Sequence, residues 1–151
     1  MRTLGTLLHI TSLYGRDLIG TLKDAVEILD TLKKAHIAVW QMLPICPVGY
    51  GASPYSSPSL FAGNIMFIDL DLLLEEGLLT KKLHQSYFNM IEERKNCKHF
   101  SAEHVDYSFI CENKIPLLLE CASNFLAKLK DNSSLKIEYE TFCEKENYWL
   151  D

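Results

Sequence analysis

The chain has 151 residues, of which 48% are hydrophobic and 23% are charged, and its formal net charge is −5. This length suits a single domain with a substantial core, and the composition is that of an ordinary globular protein. The negative charge argues against a nucleic-acid or anionic-membrane surface, because both need clustered Lys and Arg. No apolar run is long enough to span a bilayer, and residues 1–15 do not form a convincing signal peptide, so we expect a cytoplasmic protein.

The five cysteines show neither a disulfide pattern nor a metal-binding pattern. Their number is odd, their spacings are wide and no C-x-x-C motif occurs, which favours reduced thiols in a reducing compartment. Cys97, His99 and His104 could be assembled into a metal site on paper, but no second close ligand pair accompanies them. We therefore interpret them as ordinary surface and core residues and expect neither a metal nor another cofactor.

The beginning of the chain predicts a βαβ unit. Residues 5–10 (GTLLHI) and 37–43 (IAVWQML) are short apolar runs, typical of strands that are buried on both faces. Between them, apolar residues recur at helical spacing over residues 22–35. Thr21 is the candidate N-cap of this helix, with Asp24 in its first turn. Strand, helix and strand in this order predict a parallel pair joined by a right-handed crossover.

A long segment without helical or strand periodicity, residues 43–70, begins at the end of the second strand. It contains four of the five prolines and three of the seven glycines, together with tyrosines and a cluster of serines. A loop of this length is uncommon unless it is functional or disordered, and its apolar residues argue against a solvated linker. Since functional loops lie at the carboxyl ends of parallel strands, we expect this loop and the polar residues 9–12 to converge on one edge of the sheet.

The remaining residues, 71–151, are expected to be mostly helical. A short helix over residues 69–77 ends at Gly77, and a second helical pattern covers residues 83–93. Ser101-Ala-Glu103 resembles a helix-capping pattern, but Val105-Asp106-Tyr107 could equally be extended.

Two further helices are predicted towards the end of the chain. Pro116 is expected to open one of them at its first turn, and residues 131–134 separate it from a last helix over residues 137–150. Only two strands are predicted, and two parallel strands cannot cover their own edges. Either later strands are hidden in this half of the chain, or residues outside it complete the sheet. We treat residues 1–151 as a single domain, and both possibilities stay open at this point.

A series of motifs along the chain resembles that of a known enzyme family. In chain order the motifs are LLHITSL (7–13), WQMLP (40–44), GYGASPYSS (49–57), FAGN (61–64), IDL (68–70) and, as weaker echoes, VDY (105–107) and YWLD (148–151). In sequence and order they resemble the beginning of the 4-alpha-glucanotransferases, the amylomaltase or disproportionating-enzyme family. Ala52 departs from that pattern, because aspartate is usual at its position.

This resemblance implies an α/β fold: the N-terminal part of an α-amylase-like (β/α)8 TIM barrel with a helical inserted subdomain, the barrel being incomplete in this chain. It implies transfer of 4-α-glucan segments between maltodextrins through a covalent glycosyl-enzyme, by a retaining mechanism. The nucleophilic aspartate, acid/base glutamate and stabilising aspartate of the family lie further along its sequence. We therefore expect no catalytic residue here and no activity from the isolated chain.

The resemblance also assigns substrate contacts to the loop. Tyr55 and Ser53 match positions that line sugar subsites, and Tyr50 matches a tyrosine implicated in a second glucan-binding groove. Pro54 is one of four prolines that would stiffen the loop, and His9 is a further candidate contact at the end of the first strand. A sugar ring packs its apolar face on an aromatic ring and needs hydrogen-bond partners for its hydroxyls. The expected partners are α-1,4-glucans and the missing C-terminal part of the barrel.

Other interpretations remain open at this point. The two tyrosines could anchor the loop on the core, Ser53 could be a turn residue only, and His9 could be a core histidine. The chain could be a non-enzymatic relative that binds glucan or assembles with a polypeptide carrying the rest of the barrel. A different sugar-acting enzyme would need carboxylates of its own, and the candidates are Asp17, Asp69, Asp71 and Asp106.

Overall fold

The computed structural model describes residues 2–150, which contain a two-stranded parallel sheet and five α-helices. The elements are β1 (Gly5–Leu7), α1 (Leu22–Lys34), β2 (Val39–Gln41), α2 (Leu70–Glu75), α3 (Lys81–Lys95), α4 (Tyr107–Lys128) and α5 (Ser133–Leu150). Three-residue 3-10 turns lie at Ile10–Ser12, Tyr50–Ala52 and Ile65–Phe67. None of the helices described is long and apolar enough to cross a membrane. Met1 and Asp151, the last residue of the YWLD motif, lie outside the described range.

The predicted parallel pair and its helical crossover are confirmed. Gly5 pairs with Val39 in the first register position of the sheet, and α1 connects the two strands. Helix α1 begins after Thr21, as predicted, in a capping box. The Thr21 hydroxyl accepts the backbone N–H of Asp24, and the Asp24 carboxylate accepts the Thr21 N–H at 2.7 Å. Both strands are shorter than predicted, and the first gives way to a 3-10 turn that begins at Ile10.

The prediction that both strands are buried on both faces is wrong for the described chain. Trp40 belongs to the cluster that α1 covers, together with Ile10, Leu13 and Phe67. Its neighbour Val39 points the other way, as successive residues of a strand do, and is 52% exposed. Only one side of the sheet is therefore covered, because a single crossover helix can shield a single face.

The largest hydrophobic cluster lies among α2, α3 and α4. Its buried members are Leu70, Leu79, Tyr87, Phe88, Ile91, Leu117, Leu118 and Cys121. Asp69 caps α2 by accepting the N–H of Leu72 at 2.9 Å. Gly77 follows α2 with a φ of +64°, a left-handed conformation suited to glycine. The helices predicted over residues 69–77 and 83–93 are therefore both present.

The prediction that Pro116 opens a helix is wrong, because α4 already begins at Tyr107. Asp106 supplies the signal for that start: its carboxylate accepts the N–H of Phe109 at 3.1 Å. Pro116 has no N–H to donate to the carbonyl of Glu112, but both residues are exposed. Water can bond that carbonyl instead, so the helix continues through the proline.

Helix α5 confirms the last predicted helix, although it starts earlier, at Ser133. It has no fully buried side chain. Two edge-to-face aromatic pairs attach it to the rest of the chain. Tyr139 packs on Phe125 of α4 with ring centroids 5.6 Å apart, and Tyr148 packs on Phe61 of the long loop at 5.2 Å.

Replacement of Asp106 by alanine is expected to lower the free energy of unfolding by about 2 kcal/mol, since it removes both the α4 cap and an ion pair with Arg94. Asp106→Asn keeps a capping oxygen and is expected to lose less than half of that amount. Urea unfolding at neutral pH, followed by circular dichroism, measures both variants. Equal losses for alanine and asparagine would contradict the capping role.

Candidate functional site

The loop over residues 43–70 is fixed by hydrogen bonds between its own atoms. The N–H of Asn64 donates to the carbonyl of Ile45 at 3.2 Å, which joins the two ends of the loop. Within the loop, the hydroxyl of Ser59 accepts the N–H groups of Phe61 and Ala62 at 3.3 and 3.2 Å. These contacts give a long segment without strands a defined path.

The turn at the tip of the loop requires unusual backbone conformations. A Cβ atom at Gly49 would lie 1.7 Å from the carbonyl oxygen of Ser56, so only glycine fits there. Gly51 and Ala52 both have positive φ angles, +68° and +55°. Alanine is strained in this region, whereas aspartate tolerates it better. The departure of Ala52 from the family pattern therefore changes the backbone energetics of the turn as well as its polarity.

The two candidate tyrosines of the loop point into solvent. Tyr50 is 98% exposed and Tyr55 is 74% exposed. Neither ring therefore anchors the loop on the described core. The hydroxyl of Ser53 accepts the N–H of Tyr55 at 3.3 Å, which is the turn role considered above, and Pro54 restricts the backbone between them. The result is a pair of free aromatic rings on a stiffened backbone.

A cleft of about 540 Å³ separates the loop from α4, and we call it the loop–α4 cleft. The loop wall includes Asn64 and Met66, and the α4 wall includes Ser108, Cys111 and Glu112. The side-chain nitrogen of Asn64 is buried without a hydrogen-bond partner among the described residues. Hydroxyl, carboxylate and amide groups set in apolar walls can bind a neutral polyhydroxylated molecule.

His9 lies apart from the residues that line this cleft. It is buried, and its ring packs edge-to-face on Phe67 with centroids 5.8 Å apart. Burial lowers the pKa of His9, which keeps the ring neutral at physiological pH. Its Nδ1 atom has no partner in the described chain. The position is that of a core histidine with one unused nitrogen, at the point where the first strand end meets the end of the loop.

A buried ion pair joins two segments that lie far apart in the sequence, and no local pattern connects its members. Lys114 is fully buried on α4, and its ammonium donates to the carboxylate of Asp17 at 2.7 Å and to the carbonyl of Met66 at 3.0 Å. Burial raises the pKa of Asp17, against the opposing effect of the Lys114 charge. The only signal in the sequence is that Lys114 falls on the apolar face of α4, between Ile110 and Leu118.

The four aspartates considered as catalytic candidates all have structural partners. Asp17 pairs with Lys114, whereas Asp69 and Asp106 cap α2 and α4. Asp71 lies 2.6 Å from the Nε2 atom of His84 and also pairs with Arg16. This arrangement does not favour a different sugar-acting enzyme with carboxylates of its own. Within residues 2–150, no three His, Cys, Asp or Glu side chains come close enough together to hold a metal ion.

Comparison with known proteins identifies the family to which the chain belongs. The family model described as 4-alpha-glucanotransferase matches residues 8–151. The chain belongs to this family. The assignment made from the sequence motifs is thereby confirmed.

Curated relatives and a solved structure agree with the family assignment. The 4-alpha-glucanotransferase of Clostridium butyricum is 40% identical over 145 residues, which are 95% of this chain and 27% of the relative. That of Thermus thermophilus is 37% identical over 151 residues, again covering 27% of the relative. The amylomaltase of Streptococcus agalactiae, solved in complex with acarbose, matches 98% of this chain and 28% of its own, with a TM-score of 0.77 and 33% identity. The chain thus spans about a quarter of these glucanotransferases.

The charged cluster around Asp71 generates a pH-dependent prediction. Burial raises the pKa of Asp71, but the hydrogen bond from His84 and the charges of Arg16 and Lys23 outweigh it, so the pKa lies below its ordinary value. Its contribution to stability is therefore present above the unfolded-state pKa and is lost as the pH falls through the folded-state pKa. Asp71→Asn should be less stable by about 1 kcal/mol at neutral pH, because the pair is partly exposed.

Urea unfolding at a series of pH values measures this difference, which should shrink between roughly pH 4 and pH 2. Asp30→Asn is the matched control, because Asp30 is exposed on α1. A difference for Asp71→Asn that stays constant with pH would exclude the ionised carboxylate as its cause.

Proposed function

We propose that this chain forms the N-terminal part of an α-amylase-like (β/α)8 barrel and one wall of the glucan site of a 4-alpha-glucanotransferase. The substrate class is α-1,4-glucans, from which the complete enzyme transfers segments between chains with retention. The observation that carries the proposal is the loop after β2, which presents two solvent-exposed tyrosines beside an open cleft in a chain of this family.

The exposed tyrosines support a sugar-binding role for the loop. Tyr50 and Tyr55 are too exposed to contribute to the described core, which leaves both rings accessible to a ligand. An aromatic ring stacks on the apolar face of a pyranose, and the phenol can hydrogen-bond a sugar hydroxyl. In the proposal Tyr55, with Ser53 and Pro54 around it, contacts sugar beside the reaction centre, and Tyr50 serves a second glucan groove that includes the loop–α4 cleft.

His9 has a smaller part in this proposal. Its unpartnered Nδ1 could accept a hydrogen bond from a glucan hydroxyl only if the end of the strand opens towards the substrate, because the residue is buried. The related amylomaltase of Streptococcus agalactiae was solved with acarbose, a glucan-like ligand, which supports the substrate class rather than any single contact.

The chemistry itself is assigned to residues beyond those of this chain. A retaining glycosidase-type mechanism needs two carboxyl groups about 5–5.5 Å apart across the scissile bond. The candidate aspartates instead hold a buried lysine, cap helices or pair with surface cations. The chain spans 27% of the length of its relative from Clostridium butyricum, and the catalytic carboxylates are assigned to the other part of the enzyme.

The uncovered apolar surface supports an incomplete barrel. Leu7 and Val39 on the strands are 61% and 52% exposed, and Val26 on α1 is 67% exposed. In a barrel, strands are covered by helices on one side and by interior side chains on the other. The proposed partner of this surface is the rest of the barrel. None of the five cysteines forms a disulfide bond, which agrees with the proposed location in the cytoplasm.

Tyr55→Ala should weaken maltodextrin binding by about tenfold, which is what the loss of one stacking contact is worth. Tyr55→Phe should retain most of the affinity, because it keeps the ring. Tyr14→Ala is the control, since Tyr14 is also highly exposed (90%) but lies outside the loop. Titration calorimetry with a maltodextrin measures all three. Equal losses for Tyr14 and Tyr55 would contradict a specific contact.

The isolated chain should release no glucose from maltotriose. Transfer activity should appear when the chain is mixed with a Thermus thermophilus 4-alpha-glucanotransferase from which the matching quarter has been deleted. A double variant that carries both Leu7→Asp and Val39→Asp should not restore this activity, because both substitutions place charge on the proposed barrel interface. Turnover by the chain alone would refute the assignment of catalysis elsewhere. Glucan binding without complementation would instead favour the non-enzymatic relative.

A further inference from the structure

We propose that Lys114 and Asp17 are positioning residues, which set the separation of the two walls of the loop–α4 cleft. This inference rests on the proposed function, in which the loop–α4 cleft belongs to a glucan groove. Its geometric part can nevertheless be tested without any glucan.

The position of Lys114 relative to the cleft carries the argument. Its neighbours along α4, Cys111 and Ile115, line the helix wall of the cleft. Its ammonium crosses to the opposite wall and donates at 3.0 Å to the carbonyl of Met66, which itself lines the loop wall. The same ammonium donates at 2.7 Å to Asp17, in the turn before α1. One cation thus joins the helix, the end of the loop and the βαβ unit.

The contact is rigid because its surroundings are apolar and closed. Lys114 has no exposed side-chain surface and Asp17 has 3%. Ile19 and Ile110 are buried in one cluster with Met66 next to the pair. A charge in such surroundings cannot exchange its partners for water, so the ammonium keeps both contacts. The separation of the cleft walls is therefore fixed by hydrogen-bond lengths rather than by soft packing alone.

Tyr87 adds a neutral neighbour to the pair. Its hydroxyl is buried and has no hydrogen-bond partner among the described residues. Burial raises the pKa of Tyr87, and the nearby charge of Asp17 raises it further, so the phenol stays protonated. Because Tyr87 is neutral, Lys114 is the cation that links the carbonyl of Met66 to Asp17. A side chain without a hydrogen-bond donor at position 114 would leave the Met66 carbonyl without the hydrogen bond that the lysine provides.

A buried pair can be replaced by apolar side chains of similar shape with little loss of stability, which allows positioning to be separated from folding. Leucine has the branched shape of aspartate, and methionine has the length of lysine. The test variant is therefore Asp17→Leu combined with Lys114→Met. The control is Lys128→Met, which removes another lysine–carbonyl bond from the same helix, to Glu76 at 2.5 Å, away from the cleft.

The measurement is the distance between a spin label on the native Cys111 of α4 and one on Ser56→Cys in the loop. Cys46, Cys97 and Cys143 are replaced by serine in every protein, and Cys121 is buried and left in place. Pulsed electron resonance on the unliganded chain gives the distance distribution. We expect the double variant to show a longer and broader distribution, and Lys128→Met to match the parent protein.

Maltodextrin affinity is measured separately on unlabelled proteins. We expect at least a fivefold loss for the double variant and no loss for Lys128→Met. An unchanged distance distribution in a folded double variant would overturn the proposal, as would a widened cleft with unchanged affinity.

Absence of maltodextrin binding by the parent chain would count against the proposed function, while the distance result would still decide the positioning of the loop. If the double variant does not fold in buffer, the same measurement is made in trimethylamine oxide, which favours the folded state.

Discussion

The Lys114 ammonium is the contact on which the arrangement of the described chain depends. Its burial is costly, because a charge loses its hydration when it enters the interior. Asp17 and the carbonyl of Met66 replace that hydration, and they come from segments 97 and 48 residues away along the chain. The βαβ unit, the long loop and α4 must therefore meet at a single point. The loop owes its position to this point more than to any secondary structure of its own.

The features that could be predicted from the sequence are those that local chemistry decides. The Thr21 cap with Asp24 in the first helical turn and the end of the short helix at Gly77 each depend on a few consecutive residues, and each was found where expected. The parallel strand pair followed from apolar runs on either side of an amphipathic helix. The family followed from motifs of the first strands and of the loop, which match in sequence and in order.

The features that could not be predicted are decided by distant parts of the chain. Pro116 reads as a helix start, yet its exposed position lets water replace the missing hydrogen bond, and this is visible only once the buried face of α4 is known. The strands read as buried because their composition is apolar, although one side is open. The residues around Lys114 hardly indicate that it is buried, because a lysine is stable in the interior only beside a carboxylate, and here that carboxylate is far away in the sequence.

The separation of Asp17 and Lys114 along the chain also sets the order in which the protein can fold. Helices form within about a microsecond because their contacts are local, whereas a contact 97 residues apart must close a long loop of chain first. We therefore expect the contact between Lys114 and Asp17 to form after the local hydrogen bonds of the helices. During synthesis on the ribosome, the loop over residues 43–70 stays without this anchor until Lys114 has been added and has emerged.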